Sequence, residues 1–111
     1  MVKNYIPEKG DIVYIDFDPT KGHEQKGYRP AIVVSNTIFN KYTKMVMLCP
    51  ITSNIKDFPT HYLLKKTKKV NGSILCEHIR SIDYEVRNIK YVEKVNDEEL
   101  KNILSIIDTC L

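Results

Sequence analysis

Residues 10–17, GDIVYIDF, predict the first strand of a mainly β protein. The stretch is rich in β-branched and aromatic residues, and it ends at Asp18-Pro19, which is a turn signal. Residues 30–35, PAIVVS, are apolar at successive positions, as in a strand that is buried on both faces. Residues 44–52 repeat that pattern, and Pro50 predicts a bulge or the end of the strand.

The second half of the chain predicts shorter strands and then a helix. Residues 60–64 and 90–95 are candidate strands, and Asn71-Gly72 predicts a hairpin turn into a strand over residues 73–82. Apolar residues then recur at helical spacing behind Asn96, with Glu99 in the position that completes a capping box: Leu100, Ile103, Leu104, Ile107 and Leu111. Five or six short strands and a C-terminal amphipathic helix predict a small, strongly bent barrel in a single domain over residues 1–111.

Composition sets broad limits on the function. The chain has 111 residues and a formal charge of +3, which suits a nucleic-acid partner without requiring one, and dimerisation would let so small a core bury more surface. Cys49, Cys76 and Cys110 form no Cys-x-x-Cys pair, and their apolar surroundings predict reduced core residues of a cytosolic protein. No apolar run approaches a membrane span, and residues 1–11 lack the apolar segment of a secretion signal, so we expect a cytoplasmic protein.

Several catalytic motifs are missing from the sequence. His23, His61 and His78 are scattered and form no metal-binding motif, so we predict no metal and no cofactor. Neither a phosphate-binding glycine loop nor a G-x-S-x-G motif is present.

The connection at residues 18–30, DPTKGHEQKGYRP, is rich in functional groups. Arg29 precedes Pro30, which favours an extended backbone and would anchor the guanidinium at the start of a strand. A guanidinium in a defined position suits a phosphodiester, and Glu24 could accept a proton or hold the arginine in place. The alternative is a solvated loop with a weak ion pair, just as Thr52 and Ser53 could be ordinary strand-end residues.

Three stretches resemble the MazF/PemK family of toxin endoribonucleases: residues 10–36 (GDIVYIDFDPTKGHEQKGYRPAIVVSN), residues 49–61 (CPITSNIKDFPTH) and residues 76–83 (CEHIRSID). The resemblance covers nearly the whole chain. It implies an SH3-like barrel of the CcdB/PemK type with a C-terminal helix, and a homodimer. It also implies the toxin of a type II toxin–antitoxin system, which cleaves single-stranded RNA, chiefly mRNA, without a metal and is inhibited by an acidic, disordered segment of a cognate antitoxin.

The resemblance also suggests site residues. Arg29 and Thr52 match positions implicated in catalysis, and Glu24 matches an acidic position that is a candidate base. Predicted RNA contacts are Phe17, Gln25, Tyr28, Ser53, Lys56, His78 and Arg80. His78 stands where relatives most often have glutamine, and His23 where many have serine, so either could alter base preference or add a titrating group.

Two other functions are compatible with the same barrel. A gyrase-poison toxin binds a protein target through the end of its C-terminal helix, but residues 105–111, SIIDTCL, do not resemble that motif. A non-catalytic RNA-binding barrel would need only a basic and aromatic surface.

Overall fold

The computed structural model describes residues 5–17 and 27–111, and it confirms a mainly β fold with a C-terminal helix. In chain order the elements are β1 (Asp11–Asp16), β2 (Tyr28–Val33), α1 (Thr37–Thr43), β3 (Met45–Thr52), β4 (His61–Leu63), β5 (Ser73–Leu75), a 3-10 turn (Cys76–His78), β6 (Arg80–Asp83), β7 (Lys90–Lys94) and α2 (Asp97–Thr109).

Helix α1 was not predicted. Its N-cap is Asn36, whose side chain accepts a hydrogen bond from the N–H of Phe39 at 2.8 Å. The cap explains how a short polar connection becomes helical.

Seven strands form one sheet in the order β4-β5-β3-β2-β1-β7, with β6 paired to β3. All the pairs are antiparallel. Over the described residues, β4 and β7 do not pair with each other, so strand pairing alone does not close the predicted barrel. Of the two predictions for Pro50, a bulge or a strand end, the strand end was wrong: β3 continues to Thr52, although its pairing with β2 stops at Pro50.

The predicted strand over residues 73–82 is broken in two. Ile51 of β3 pairs with Ile74 of β5, and Leu48 of β3 pairs with Arg80 of β6. These two pairs are three residues apart along β3, whereas they are six residues apart along the chain from β5 to β6. The 3-10 turn Cys76–His78 takes up the extra length. Both β5 and β6 therefore pair with the same strand, which a local sequence pattern cannot indicate.

Apolar residues pack on both faces of the central strands, as the continuous apolar run at residues 30–35 predicted. One face, which includes Ile12, Ile32 and Cys49, packs against Ile103 and Ile107 of α2. The other face includes residues such as Val13, Ala31 and Leu48, and it packs against Ile82 and Tyr84. Two-sided burial of the sheet explains its continuous apolar strands.

Helix α2 begins as predicted, although Glu99 does not complete the capping box. The Asn96 side chain accepts from the N–H of Glu99 at 2.8 Å. The buried Glu99 carboxylate instead accepts from the Tyr62 hydroxyl and the Lys65 N–H, at 3.1 and 2.9 Å. Leu111 lies beyond the helix and is exposed, so the apolar stripe is shorter than predicted.

Two of the three cysteines lie in the core. Cys49 and Cys76 are buried, and desolvation raises the pKa of each thiol to about 12, which keeps both protonated. Cys110 is exposed, so the prediction that it is a core residue was wrong.

Within the described residues, no helix combines the length and the apolar composition that crossing a bilayer requires.

Candidate active site

Arg29 lies near the start of β2 and Thr52 at the end of β3, beyond the point where the two strands stop pairing. The last β2–β3 pair is Ala31–Pro50, two residues from each of them. Arg29, opposite Ile15 of β1, is exposed, and Thr52 is half-buried at the end of β3. Both line one depression of about 290 Å³. The structure therefore brings together two of the three predicted catalytic residues.

The Thr52 hydroxyl is oriented by its own turn. Its oxygen accepts a hydrogen bond from the N–H of Asn54 at 3.1 Å. Because a hydroxyl both accepts and donates, the proton of Thr52 can still be given to an oxygen entering the depression. Thr52 is thus suited to act as a donor.

Strand β5 supports Thr52 from the other side. Thr52 pairs with Ser73, and Gly72 approaches so closely that a β carbon there would lie 2.5 Å from the Thr52 carbonyl oxygen. Gly72 also has a φ of +141°, a conformation that other residues rarely adopt. Only glycine at this position lets the turn before β5 pack against Thr52.

The depression is basic, and part of its lining was not predicted from the sequence. Of its described lining residues, Arg29 and Lys69 are charged, both positively, and none is acidic. Lys69 belongs to KKTKK, residues 65–69, a basic run that sequence alone does not distinguish from a solvated surface. The full lining is Tyr14, Arg29, Pro30, Ile51, Thr52, Ser53, Lys69, Val70 and Asn71.

The other predicted RNA contacts divide into three groups. Ser53 lines the depression, and Tyr28 lines the neighbouring groove, where its ring centroid lies 5.5 Å from that of Tyr14. Phe17 and Arg80 form a pair, with the guanidinium carbon 5.2 Å from the ring centroid. The exposed residues Lys56 and His78 line neither cavity.

Glu24 and Gln25, together with His23, lie outside the described residues, in the gap between residues 17 and 27.

His78 belongs to a cluster around Glu77. The Glu77 carboxylate accepts from the Thr60 hydroxyl at 2.7 Å, lies 3.0 Å from Nε2 of His61 and lies 3.6 Å from Nε2 of His78. Desolvation opposes ionisation of Glu77, but hydrogen bonds, including those from Thr60 and His61, outweigh it and lower its pKa. His78 therefore has an acidic neighbour, Glu77.

Across residues 5–17 and 27–111, no three His, Cys, Asp or Glu side chains are grouped so that they could hold a metal ion.

The family match and the similar proteins identify the same family. The family of PemK-like, MazF-like toxins of type II toxin–antitoxin systems matches residues 8–111. The endoribonuclease toxin MazF of Escherichia coli K12 is 36% identical over 111 residues, which cover 100% of this chain and 99% of the relative.

Solved structures agree with this result. The crystal structure of MazF (Form-I) from Deinococcus radiodurans has a TM-score of 0.84 and 32% identity, covering 96% of each chain. The MazE-MazF (Form-II) structure from the same organism has a TM-score of 0.83 and 27% identity, covering 96% of this chain and 95% of that one.

Proposed function

Because this chain belongs to the PemK-like, MazF-like toxins of type II toxin–antitoxin systems, we propose that it is an endoribonuclease that cleaves single-stranded RNA, chiefly mRNA, at a short sequence. The cleavage needs no metal, takes place in the cytoplasm and stops translation and growth. The observation that carries the proposal is that Arg29 and Thr52 line the same basic depression.

The proposed reaction uses the substrate's own nucleophile. The ribose 2′ oxygen attacks the adjacent phosphorus, the new P–O2′ bond forms, and the P–O5′ bond breaks. The 2′ proton goes to a base and the departing 5′ oxygen receives a proton, which leaves a 2′,3′-cyclic phosphate and a 5′-OH. The protein must therefore supply a proton acceptor, a proton donor and a positive group that stabilises the phosphorane oxygens.

Arg29 is the proposed stabiliser of the phosphorane. Its guanidinium remains charged at physiological pH and presents paired donors that match two phosphate oxygens. The cation Lys69 lies in the same lining, and the lack of acidic side chains among the described lining residues favours an anion there. Arg29 can also pass a proton to the leaving oxygen.

Thr52 is the proposed donor to a non-bridging phosphate oxygen. Its oxygen already accepts from the Asn54 N–H, so the hydroxyl proton is the part of the group that is available to substrate.

Glu24 is the proposed base on grounds of family resemblance alone. The ordinary pKa of a glutamate is about 4.3, so the surroundings of Glu24 would have to raise it for efficient proton abstraction near neutral pH.

The proposed RNA contacts combine stacking with backbone binding. Tyr28 and Phe17 offer rings to splayed bases, while Arg80 and Lys56 bind phosphates and Gln25, Ser53 and His78 hydrogen-bond base edges. The pairing of Arg80 with the Phe17 ring supports a joint role, because a guanidinium that is held over a ring is pre-oriented.

We further propose a homodimer that a cognate antitoxin inhibits. The net charge of +3 would attract an acidic, disordered segment, which would compete with RNA for Arg29. The MazE-MazF structure from Deinococcus radiodurans, which holds a relative of this chain together with MazE, supports the proposal of an antitoxin partner.

The test is incubation of the purified protein with a long single-stranded RNA in EDTA, followed by mapping of the new 5′ ends. We expect cuts at one short sequence that leave 5′-OH ends. Arg29→Ala should lower the rate about 10²- to 10³-fold, the range typical of losing one transition-state donor. Thr52→Val should lower it strongly and Thr52→Ser only slightly, while Lys101→Ala, an exposed change on α2, is the matched control.

Full activity of Arg29→Ala would contradict the mechanism. Intact RNA with the wild-type protein would contradict the nuclease itself. In that case, RNA binding without cleavage would indicate a non-catalytic barrel, and gyrase inhibition would indicate the protein-targeting toxin.

A further inference from the structure

Resting on the proposed function, we propose that Lys69 and the groove beside it form a subsite for the nucleotide next to the scissile phosphate. The groove, of about 440 Å³, is called the tyrosine groove here, and its lining is Tyr14, Tyr28, Lys69, Lys90, Tyr91 and Val92. Lys69 binds a backbone phosphate of the RNA, and the tyrosine rings hold the neighbouring base.

The tyrosine groove is continuous with the candidate active site. Tyr14 and Lys69 line both cavities. A strand whose scissile phosphate lies at Arg29 and Thr52 can therefore continue past Lys69 into the groove. The Lys69 side chain, at the junction of the two cavities, can contact the backbone phosphate between a nucleotide in the candidate active site and a nucleotide in the groove.

The backbone at Lys69 is held in place before any ligand binds. The carboxylate of Glu93 accepts hydrogen bonds from three successive N–H groups, those of Lys68, Lys69 and Val70, at 3.0, 2.8 and 2.8 Å. Val70 is buried, which anchors the end of the loop. A lysine on an anchored backbone loses less conformational entropy on binding than one on a loose loop.

The charges in the groove favour an anion. Lys69 and Lys90 are cations, and no acidic residue is among the described lining residues. The Glu93 carboxylate, which accepts from the Lys69 N–H, is already committed to three N–H donors, so part of its charge is offset. Phosphate is the anionic group that occurs at every step of an RNA strand.

The rings in the groove suit a base. The ring planes of Tyr14 and Tyr28 meet at 35°, and Tyr91 is 46% exposed. Single-stranded RNA is commonly held by bases stacked on aromatic side chains beside lysines that follow the backbone. The combination of the exposed Tyr91 ring, the half-buried Tyr14 and Tyr28 rings and the cations therefore favours a nucleotide over an apolar ligand.

The first experiment isolates Lys69. The probe is a single-stranded RNA oligonucleotide that carries the mapped cleavage site with a 2′-deoxy sugar at the scissile nucleotide, so that it binds without being cut. Binding of wild type, Lys69→Ala and Lys66→Ala is measured by fluorescence anisotropy over a series of salt concentrations. Lys66 is the matched control, because it is exposed in the same basic run but lines neither cavity.

We expect Lys69→Ala to reduce the slope of log K against log salt by about 0.7, the value for one phosphate contact on a single strand. Lys66→Ala should keep the wild-type slope. Equal slopes for the two variants would overturn the proposal, even if the wild type cleaves RNA normally. A shift in the monomer–dimer equilibrium of Lys69→Ala with unchanged RNA affinity would also overturn it, since the groove would then be a subunit contact.

The second experiment tests the base. We expect an abasic site on one side of the scissile nucleotide to weaken wild-type binding about five- to hundredfold, the effect of losing one stacked base. Tyr28→Ala should weaken binding of the intact probe. The affinity of this variant should be the same for the intact probe and for the probe with the abasic site. If the abasic site weakens binding by the same factor in Tyr28→Ala as in wild type, the proposed stacking role of Tyr28 is overturned.

These outcomes are separate from those of the proposed function. If the wild type binds RNA without cutting it, the nuclease proposal fails, and the slope comparison with a mixed-sequence oligonucleotide still decides the role of Lys69. If the wild type neither binds nor cuts RNA, both proposals are refuted.

Discussion

Gly72→Ala is the substitution that connects the fold to the candidate active site most directly. The new β carbon would lie 2.5 Å from the carbonyl oxygen of Thr52 and 3.1 Å from Cγ2 of Ile51. A β carbon essentially never lies closer than 3.0 Å to a heavy atom of a residue that is not its chain neighbour, so Gly72 and Thr52 must separate by about 0.5 Å. A backbone oxygen cannot rotate away as a flexible side chain can.

The expected cost has two parts. Placing alanine at a φ of +141° costs about 1 to 3 kcal/mol, and forcing packed segments apart costs about as much again. We therefore expect the free energy of unfolding to fall by about 2 to 6 kcal/mol. For a domain of this size the melting temperature should drop by about 10 °C or more.

The assay compares thermal unfolding and RNA cleavage for Gly72→Ala and Gly10→Ala. Gly10 also has a positive φ, +95°, but a β carbon there meets only side-chain atoms, with the nearest one on Leu100 at 3.3 Å. Gly10→Ala should therefore lose less stability and keep its cleavage rate. Gly72→Ala should also lose at least about tenfold in rate at a temperature where it is folded, since small displacements of catalytic groups are costly.

Wild-type stability in Gly72→Ala would refute the packing argument. A large loss of stability with an unchanged cleavage rate would show instead that the position of Thr52 does not depend on β5.

Three further substitutions test other contacts. Glu93→Gln should destabilise the protein most near neutral pH, because desolvation raises the pKa of Glu93 but hydrogen bonds from three N–H groups outweigh it and lower the pKa. The difference from wild type in the free energy of unfolding, followed by chemical denaturation, should begin to shrink below the ordinary glutamate pKa of about 4.3 and disappear as the pH falls through the lower pKa of the native carboxylate. Asn96→Ala removes the acceptor for the Glu99 N–H and should cost about 1 kcal/mol in the same assay, so an unchanged free energy of unfolding would argue against the cap. Arg80→Ala removes a cation from the Phe17 ring and should lower the free energy of unfolding by less than about 1 kcal/mol. A larger loss in the free energy of RNA binding, measured by an anisotropy titration, would indicate that Arg80 contacts RNA directly. Unchanged RNA affinity would contradict the proposed contact of Arg80 with RNA.

The resemblance to the MazF/PemK family, inferred from three stretches of sequence, is confirmed by the family match over residues 8–111. The strands at residues 10–17, 30–35 and 44–52 were also predictable, because their apolar runs reflect burial on both faces of the sheet. Helix α1 was missed because its only strong signal is a single capping residue, Asn36, before several β-branched and aromatic residues.

The candidate site was predicted less completely. Arg29 and Thr52 were identified through family motifs, and the depression they share is consistent with that prediction. Lys69 was missed because a lysine within KKTKK has no local feature that separates it from its neighbours. Its distinction is that it lines both the depression and the tyrosine groove, and its backbone N–H donates to Glu93, on a strand far along the chain.

The sequence by itself determined the family, the class of fold and the candidate residues for binding a phosphodiester, because burial patterns and motifs are local properties of the chain. Only the tertiary structure decided which of those residues meet. The break between β5 and β6, the close approach of Gly72 to Thr52 and the anchoring of Lys69 by Glu93 all depend on strand register and on hydrogen bonds between distant segments. Their physical reason is that a sheet brings together residues according to how its strands pair, and no single stretch of sequence contains that information.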